Sequence, residues 1–108
     1  MSDEGGGDRD ARPGQPAEGA EIRVLEIVNK KGLHARASAK FCQTVERFDA
    51  LIRVTRGSET VGGTSIMGLM MLGAATGTKI TIEATGNEAV AAADALEKLV
   101  SSGFGEED

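Results

Sequence analysis

Everything that could build a core in this chain lies after residue 20. Residues 1–20 contain no Val, Ile, Leu or Phe, yet hold five of the 15 glycines and both prolines, Pro13 and Pro16. Such a segment cannot bury enough apolar area to offset its ordering entropy, so we expect a disordered tail that is dispensable for folding. Of the 108 residues, 88 remain, enough for one domain and one small core without staples.

The charge is as uneven as the hydropathy. The net −5 resides mostly at the two ends. Asp3, Glu4, Asp8, Asp10 and Glu18 outnumber Arg9 and Arg12 in the leading tail, and Glu106, Glu107 and Asp108 form an acidic tail over 106–108. The body between them, 21–105, is close to neutral and lacks the basic face that binding to a phosphate backbone requires. Phe41, Phe48 and Phe104 are the only aromatic residues, too few for a base-stacking platform, so nucleic acid is excluded as a partner. The N-terminus shows no charged-then-apolar signal pattern, and no apolar run approaches the roughly 20 residues that span a bilayer, so we expect no membrane and a cytoplasmic location. The single cysteine, Cys42, excludes an internal disulfide and fits a reducing compartment.

Hydrophobic periodicity supplies the elements. Ile22-Arg23-Val24-Leu25-Glu26-Ile27 reads as a strand over 22–28, ended by Asn29-Lys30-Lys31-Gly32. Ala37, Phe41, Val45 and Phe48 recur at helical spacing over 35–47, with Cys42 beside them as a small core residue. Arg36, Lys40, Gln43 and Arg47 fall on the opposite side. Ile52 and Val54 alternate with Arg53 and Thr55, and the turn Arg56-Gly57-Ser58 leads into a weaker strand from Glu59 to Gly62. Ser65 to Leu72 is apolar almost all round; its Met and Leu content, Ser65 as N-cap and Gly73 as terminator favour a short helix. Ile80, Ile82 and Ala84 alternate with polar neighbours as a half-buried strand. After Gly86, with Asn87 as N-cap, the stripe Ala89, Ala92, Ala93, Leu96, Leu99 and Val100 makes a last helix, supported by an Asp94–Lys98 pair and ended by Gly103. The order β-α-β-β-α-β-α predicts an α+β open-faced two-layer sandwich: a four-stranded antiparallel sheet with three helices on one face.

The only histidine, His34, opens the first of these helices, with Arg36 two residues later. A helix start presents unpaired N–H groups and a partial positive charge, which suit a phosphoryl group, and an arginine can add a forked contact. A largely neutral imidazole is also a competent nucleophile. Spacing alone fits equally a solvated histidine at a helix start. One His and one Cys provide no metal ligand set, and no cofactor is expected.

Gly32-Leu33-His34-Ala35-Arg36 resembles the active-site loop of the histidine-containing phosphocarrier family, HPr, and of its nitrogen-system relative, NPr. Ser65-Ile66-Met67-Gly68-Leu69-Met70 with Leu72-Gly73 looks like that family's second-helix motif, and Gly86 and the element order are similar too. The resemblance extends over about 22–104. It implies that His34 is the phosphoryl acceptor, with Arg36 stabilising the phosphate. The phosphate would come from enzyme I, itself charged by phosphoenolpyruvate, and pass to an EIIA-type protein of the phosphotransferase system. Such a chain is a monomeric relay intermediate and not an enzyme. The resemblance further implies a regulatory site at Ser65 for an HPr kinase/phosphorylase. It also implies a docking face made by Ala35, Ala39, Lys40 and Gln43 of the first helix with Ile66, Met67 and Met70 of the second. Ala37 stands where many members have proline, and Thr64 where many sugar-system members have lysine. The acidic end is more like the nitrogen-system relative. Two other readings are a regulatory binding module whose phosphorylation state is the signal, and a small-ligand sensor on another two-layer fold.

Overall fold

A computed structural model describes residues 19–106. The tail expected over 1–20 therefore lies almost wholly outside the described residues, as do Glu107 and Asp108. The elements are β1 (Glu21–Glu26), α1 (Ala35–Val45), β2 (Leu51–Arg56), β3 (Glu59–Gly62), α2 (Ile66–Met71), β4 (Lys79–Thr85) and α3 (Ala89–Ser101), followed by a 3-10 turn over Gly103–Gly105. The strands form one antiparallel sheet in the order β1-β4-β2-β3. β1 must therefore cross to pair with β4, the last strand, and this brings the loop after β1 beside the end of the chain.

Alternation along the strands sorts the side chains to two faces. Leu25 and Ile27, Ile52 and Val54, and Ile80, Ile82 and Ala84 are buried beneath the helices, while Val24 and Leu51 stay exposed on the open face. Phe41 and Val45 of α1, Leu69 of α2, and Ala92, Ala93, Leu96 and Val100 of α3 close the core from the other side. Each large aliphatic side chain buried in this way contributes about 1.5–3 kcal/mol. Cys42 is buried among them as a free thiol, and that burial raises its pKa, keeping it protonated.

The α+β sandwich thus matches the reading of the sequence, with two local corrections. Asn87 does not cap α3. The N-cap is Glu88, without a side-chain cap bond, and the Asn87 amide donates instead to Asp49 Oδ2 at 2.9 Å. Glu88 Oε1 accepts from the Asp49 N–H at 2.6 Å, so both polar side chains tie the α3 entry to the connection between α1 and β2. The Asp94–Lys98 pair is likewise replaced. Asp94 and Glu97 reach across to Arg23 of β1, at 2.9 and 2.6 Å, because the inward phase of β1 places the arginine under α3. A partner on a packed strand is held by tertiary geometry, whereas an i, i+4 partner must be held by its own flexible chain.

Candidate functional site

Gly32 sets the geometry of the loop that carries His34. Its φ is +66°, and a Cβ there would lie 2.3 Å from the Ala74 carbonyl oxygen. Only glycine permits both that conformation and that approach. The close contact lets the Leu33 N–H donate to the Ala74 carbonyl at 3.0 Å, while Leu33 itself is buried. His34 follows as the N-cap of α1, with φ −74° and ψ −178°, and its carbonyl accepts from the Ser38 N–H at 2.8 Å. Alanine at position 37, fully buried in the first turn, continues the helix without a proline to preset it.

The imidazole makes no side-chain cap bond, so it leaves the first-turn N–H groups of Ala35 and Arg36 to the cleft in front of it. That cleft, of about 500 Å³, is lined by Lys31, His34, Ala35, Arg36, Lys40, Gly105 and Glu106. Arg36 is exposed, and its guanidinium meets no partner among the described residues. An adjoining hollow of about 310 Å³ connects His34 with Met70 of α2. A further groove of about 460 Å³ between α1 and α3, lined by residues such as Thr44, Arg47 and Leu99, contains none of the site residues.

Glu106, assigned by sequence to the acidic tail, lies against His34. Its Oε2 is 2.5 Å from Nε2 of the imidazole, and only 12% of its side chain is exposed. Asn29 Nδ2 donates to Glu106 Oε1 at 3.1 Å and to the Gly32 carbonyl at 2.9 Å. Both partners are acceptors, which fixes the orientation of this buried amide. Burial pushes the Glu106 carboxyl up, but the hydrogen bonds from His34 and Asn29, with the charges of His34 and Lys40, outweigh it and hold the group below its ordinary range. An ionised Glu106 can only accept, so Nε2 carries a proton in either state of the ring, and when the ring is neutral the free lone pair lies on Nδ1. Nothing in the residue pattern near His34 signals Glu106, 72 positions away. The available hint is Phe104, a lone aromatic between Gly103 and Gly105, which is the mark of an anchor.

The proposed docking residues divide into two groups. On α2, Ile66, Met67 and Met70 are exposed at 41%, 67% and 38%, and Met71, which the resemblance did not single out, at 74%. On α1, which packs beside α2, Gln43 is exposed but Ala39 and Lys40 are half-buried. Lys40 Nζ donates to the Phe104 carbonyl at 2.7 Å and so belongs to the C-terminal turn as much as to the surface. Ser65 is exposed, lines neither hollow at His34, and accepts from the Gly68 N–H at 2.9 Å as the N-cap of α2. No group of three or more His, Cys, Asp or Glu side chains suited to a metal ion occurs among the described residues.

Fold and site together define a small α+β protein presenting its histidine at an open helix start. Residues 22–102 match the family model for the PTS HPr component phosphorylation site. The phosphocarrier protein HPr of Neisseria meningitidis is 51% identical over 82 residues, covering 76% of this chain and 92% of that protein. The phosphocarrier protein NPr of Shewanella violacea is 40% identical over 84 residues, covering 78% and 92%. The crystal structure of HPr-C-His from Thermoanaerobacter tengcongensis superposes with a TM-score of 0.77 at 41% identity, over 82% of this chain and 99% of that one. The chain belongs to the HPr/NPr family of phosphocarrier proteins.

Proposed function

We propose that this chain carries a phosphoryl group on His34, taking it from phosphorylated enzyme I and passing it to an EIIA-type protein. The observation that carries the reading is the half-exposed imidazole with Nε2 engaged by Glu106 and Nδ1 open, at an uncapped helix start beside an unpaired Arg36. In the forward step the Nδ1 lone pair forms the bond to phosphorus. The bond from phosphorus to the donor breaks, and its electron pair leaves with the donor. The first-turn N–H groups and the Arg36 guanidinium then face the phosphoryl oxygens. The chain emerges changed and is restored only by donation, so it is a relay intermediate and not a catalyst.

Incubation with phosphoenolpyruvate and enzyme I, read by intact mass, should add one acid-labile, base-stable phosphoryl group. His34→Ala should abolish it, and labelling that survives that change would sink the assignment. Arg36→Ala should accept roughly tenfold more slowly with the fold intact, because one charge-assisted contact is lost.

The apolar surface of Ile66, Met67 and Met70 supports docking of enzyme I and the acceptor at α2, with Ala35, Ala39, Lys40 and Gln43 alongside. Met67→Asp should weaken binding to enzyme I without moving the melting temperature, as suits a side chain 67% exposed. A large loss of stability would show that Met67 is core. The acidic end supports the nitrogen-type branch, for which transfer to a nitrogen-type EIIA is expected; transfer confined to a sugar-type EIIA would assign the other branch. The exposed Ser65 hydroxyl is open to a kinase, and a phosphate there would set about two negative charges beside the docking surface. We further propose a cytoplasmic monomer in which residues 1–20 are dispensable for transfer. The same α2 surface favours the regulatory binding module as second reading, and partner capture that persists after His34→Ala would support it.

A further inference from the structure

From the clamp of the C-terminal turn on the histidine, we infer that Glu106 is a positioning residue for phosphoryl transfer, fixing the proton of His34 on Nε2 and sharing the charge that grows on the ring. This deepens the reading of His34 as the acceptor and rests on it. The turn is built to bring that one carboxylate back. Phe104 adopts φ +59°, rare for a residue with a side chain, and is 1% exposed, so burial of the aromatic ring anchors the segment after α3. Lys40 holds the Phe104 carbonyl, and Asn29 grips one oxygen of Glu106 while the other meets His34. A carboxylate merely solvated on an acidic tail would need none of these.

The chemistry follows from the proton count. Neutral His34 attacks through Nδ1 and keeps its proton on Nε2, so the phosphorylated ring bears a positive charge that was absent before. Glu106, 2.5 Å from that nitrogen, stabilises the charged ring more than the neutral one. Because no proton has to enter or leave, the same arrangement serves acceptance and donation alike. A third group that orients an imidazole through its distal nitrogen has the same logic as the carboxylate of a hydrolase triad. Among the described residues, the other charged side chains lining this cleft are Lys31, Arg36 and Lys40, all cationic. None of them can do this work.

The test uses the full chain with 15N-labelled histidine. In the unmodified protein the ring-nitrogen shifts of the neutral imidazole should report a single Nε2-protonated tautomer. Glu106→Ala should relax them toward the mixture of a free imidazole. Glu106→Gln keeps an acceptor without a charge, so it should largely retain the tautomer. Phosphoryl acceptance from enzyme I should slow roughly tenfold in Glu106→Ala and by a smaller, still measurable factor in Glu106→Gln. Melting temperatures of both should stay within a few degrees of the parent. Ring-nitrogen shifts identical in the parent and Glu106→Ala would overturn the inference, whatever the rates. Failure of the parent to accept phosphate would overturn the reading of His34 and with it the transfer role of Glu106, while the nitrogen shifts would still show whether Glu106 holds the tautomer.

Discussion

The two helices that face the surface around His34 begin in opposite ways. α2 starts at Ser65, whose hydroxyl accepts from the Gly68 N–H at 2.9 Å, so one of its orphan donors is satisfied within the chain. α1 starts at His34, which is not among the preferred capping residues and makes no side-chain cap bond, and its imidazole meets Glu106 instead. The capped start is ordinary construction. The open one leaves its donors facing a cleft, and it is held in shape from outside the helix by Gly32, Ala74, Asn29 and Glu106. Where a helix forgoes its own cap, its free N–H groups are available to something else.

The contrast can be broken most severely at Gly32. Gly32→Ala places a methyl 2.3 Å from the Ala74 oxygen at φ +66°, and unfolding measurements should show a loss of about 3 kcal/mol. A loss below about 1 kcal/mol would mean that the loop adjusts freely and does not set the position of His34.

Removing the cap of α2 is milder. Ser65→Ala should cost about 1 kcal/mol, and Ser65→Asp should retain the stability, since aspartate caps as well as serine does. If Ser65 is also a regulatory site, Ser65→Asp should stay folded yet accept phosphate slowly from enzyme I.

The converse experiment supplies a cap to α1. His34→Ser and His34→Ala should both lose phosphoryl acceptance, but Ser should be the more stable by roughly 0.5–1 kcal/mol. Equal stabilities would show that the first-turn donors are already satisfied, removing the basis of the comparison.

The smallest effect is that of pH on the clamp. Glu106 has a folded pKa below its ordinary value, so its contribution is fully present above the unfolded carboxyl range, near pH 4.3, and is lost as pH falls through the lowered folded value. A 13C titration of its carboxyl should show the depression in the parent and a return toward the ordinary value in Asn29→Ala. An ordinary titration in the parent would mean that the carboxyl is not held as the geometry requires.

The sequence by itself determined the elements, because a buried face imposes a period of two on strands and of 3.6 on helices, and both periods lie within a few neighbouring residues. Ile80, Ile82 and Ala84, or Ala37, Phe41 and Val45, announce their faces without any partner. The placement of His34 and Arg36 at a helix start was legible for the same reason, since both lie within one turn. Asn87 misled because a capping residue competes for any acceptor within reach, and Asp49, 38 positions away, was in reach only after folding. Asp94 was drawn to Arg23 in the same manner. The tertiary structure alone decided that β1 pairs with β4, that the chain end returns over the loop after β1, and that Glu106 therefore touches the imidazole. A contact across 72 residues leaves no periodic trace in the chain, since it depends on how packed layers bring two loops together and not on what either loop contains.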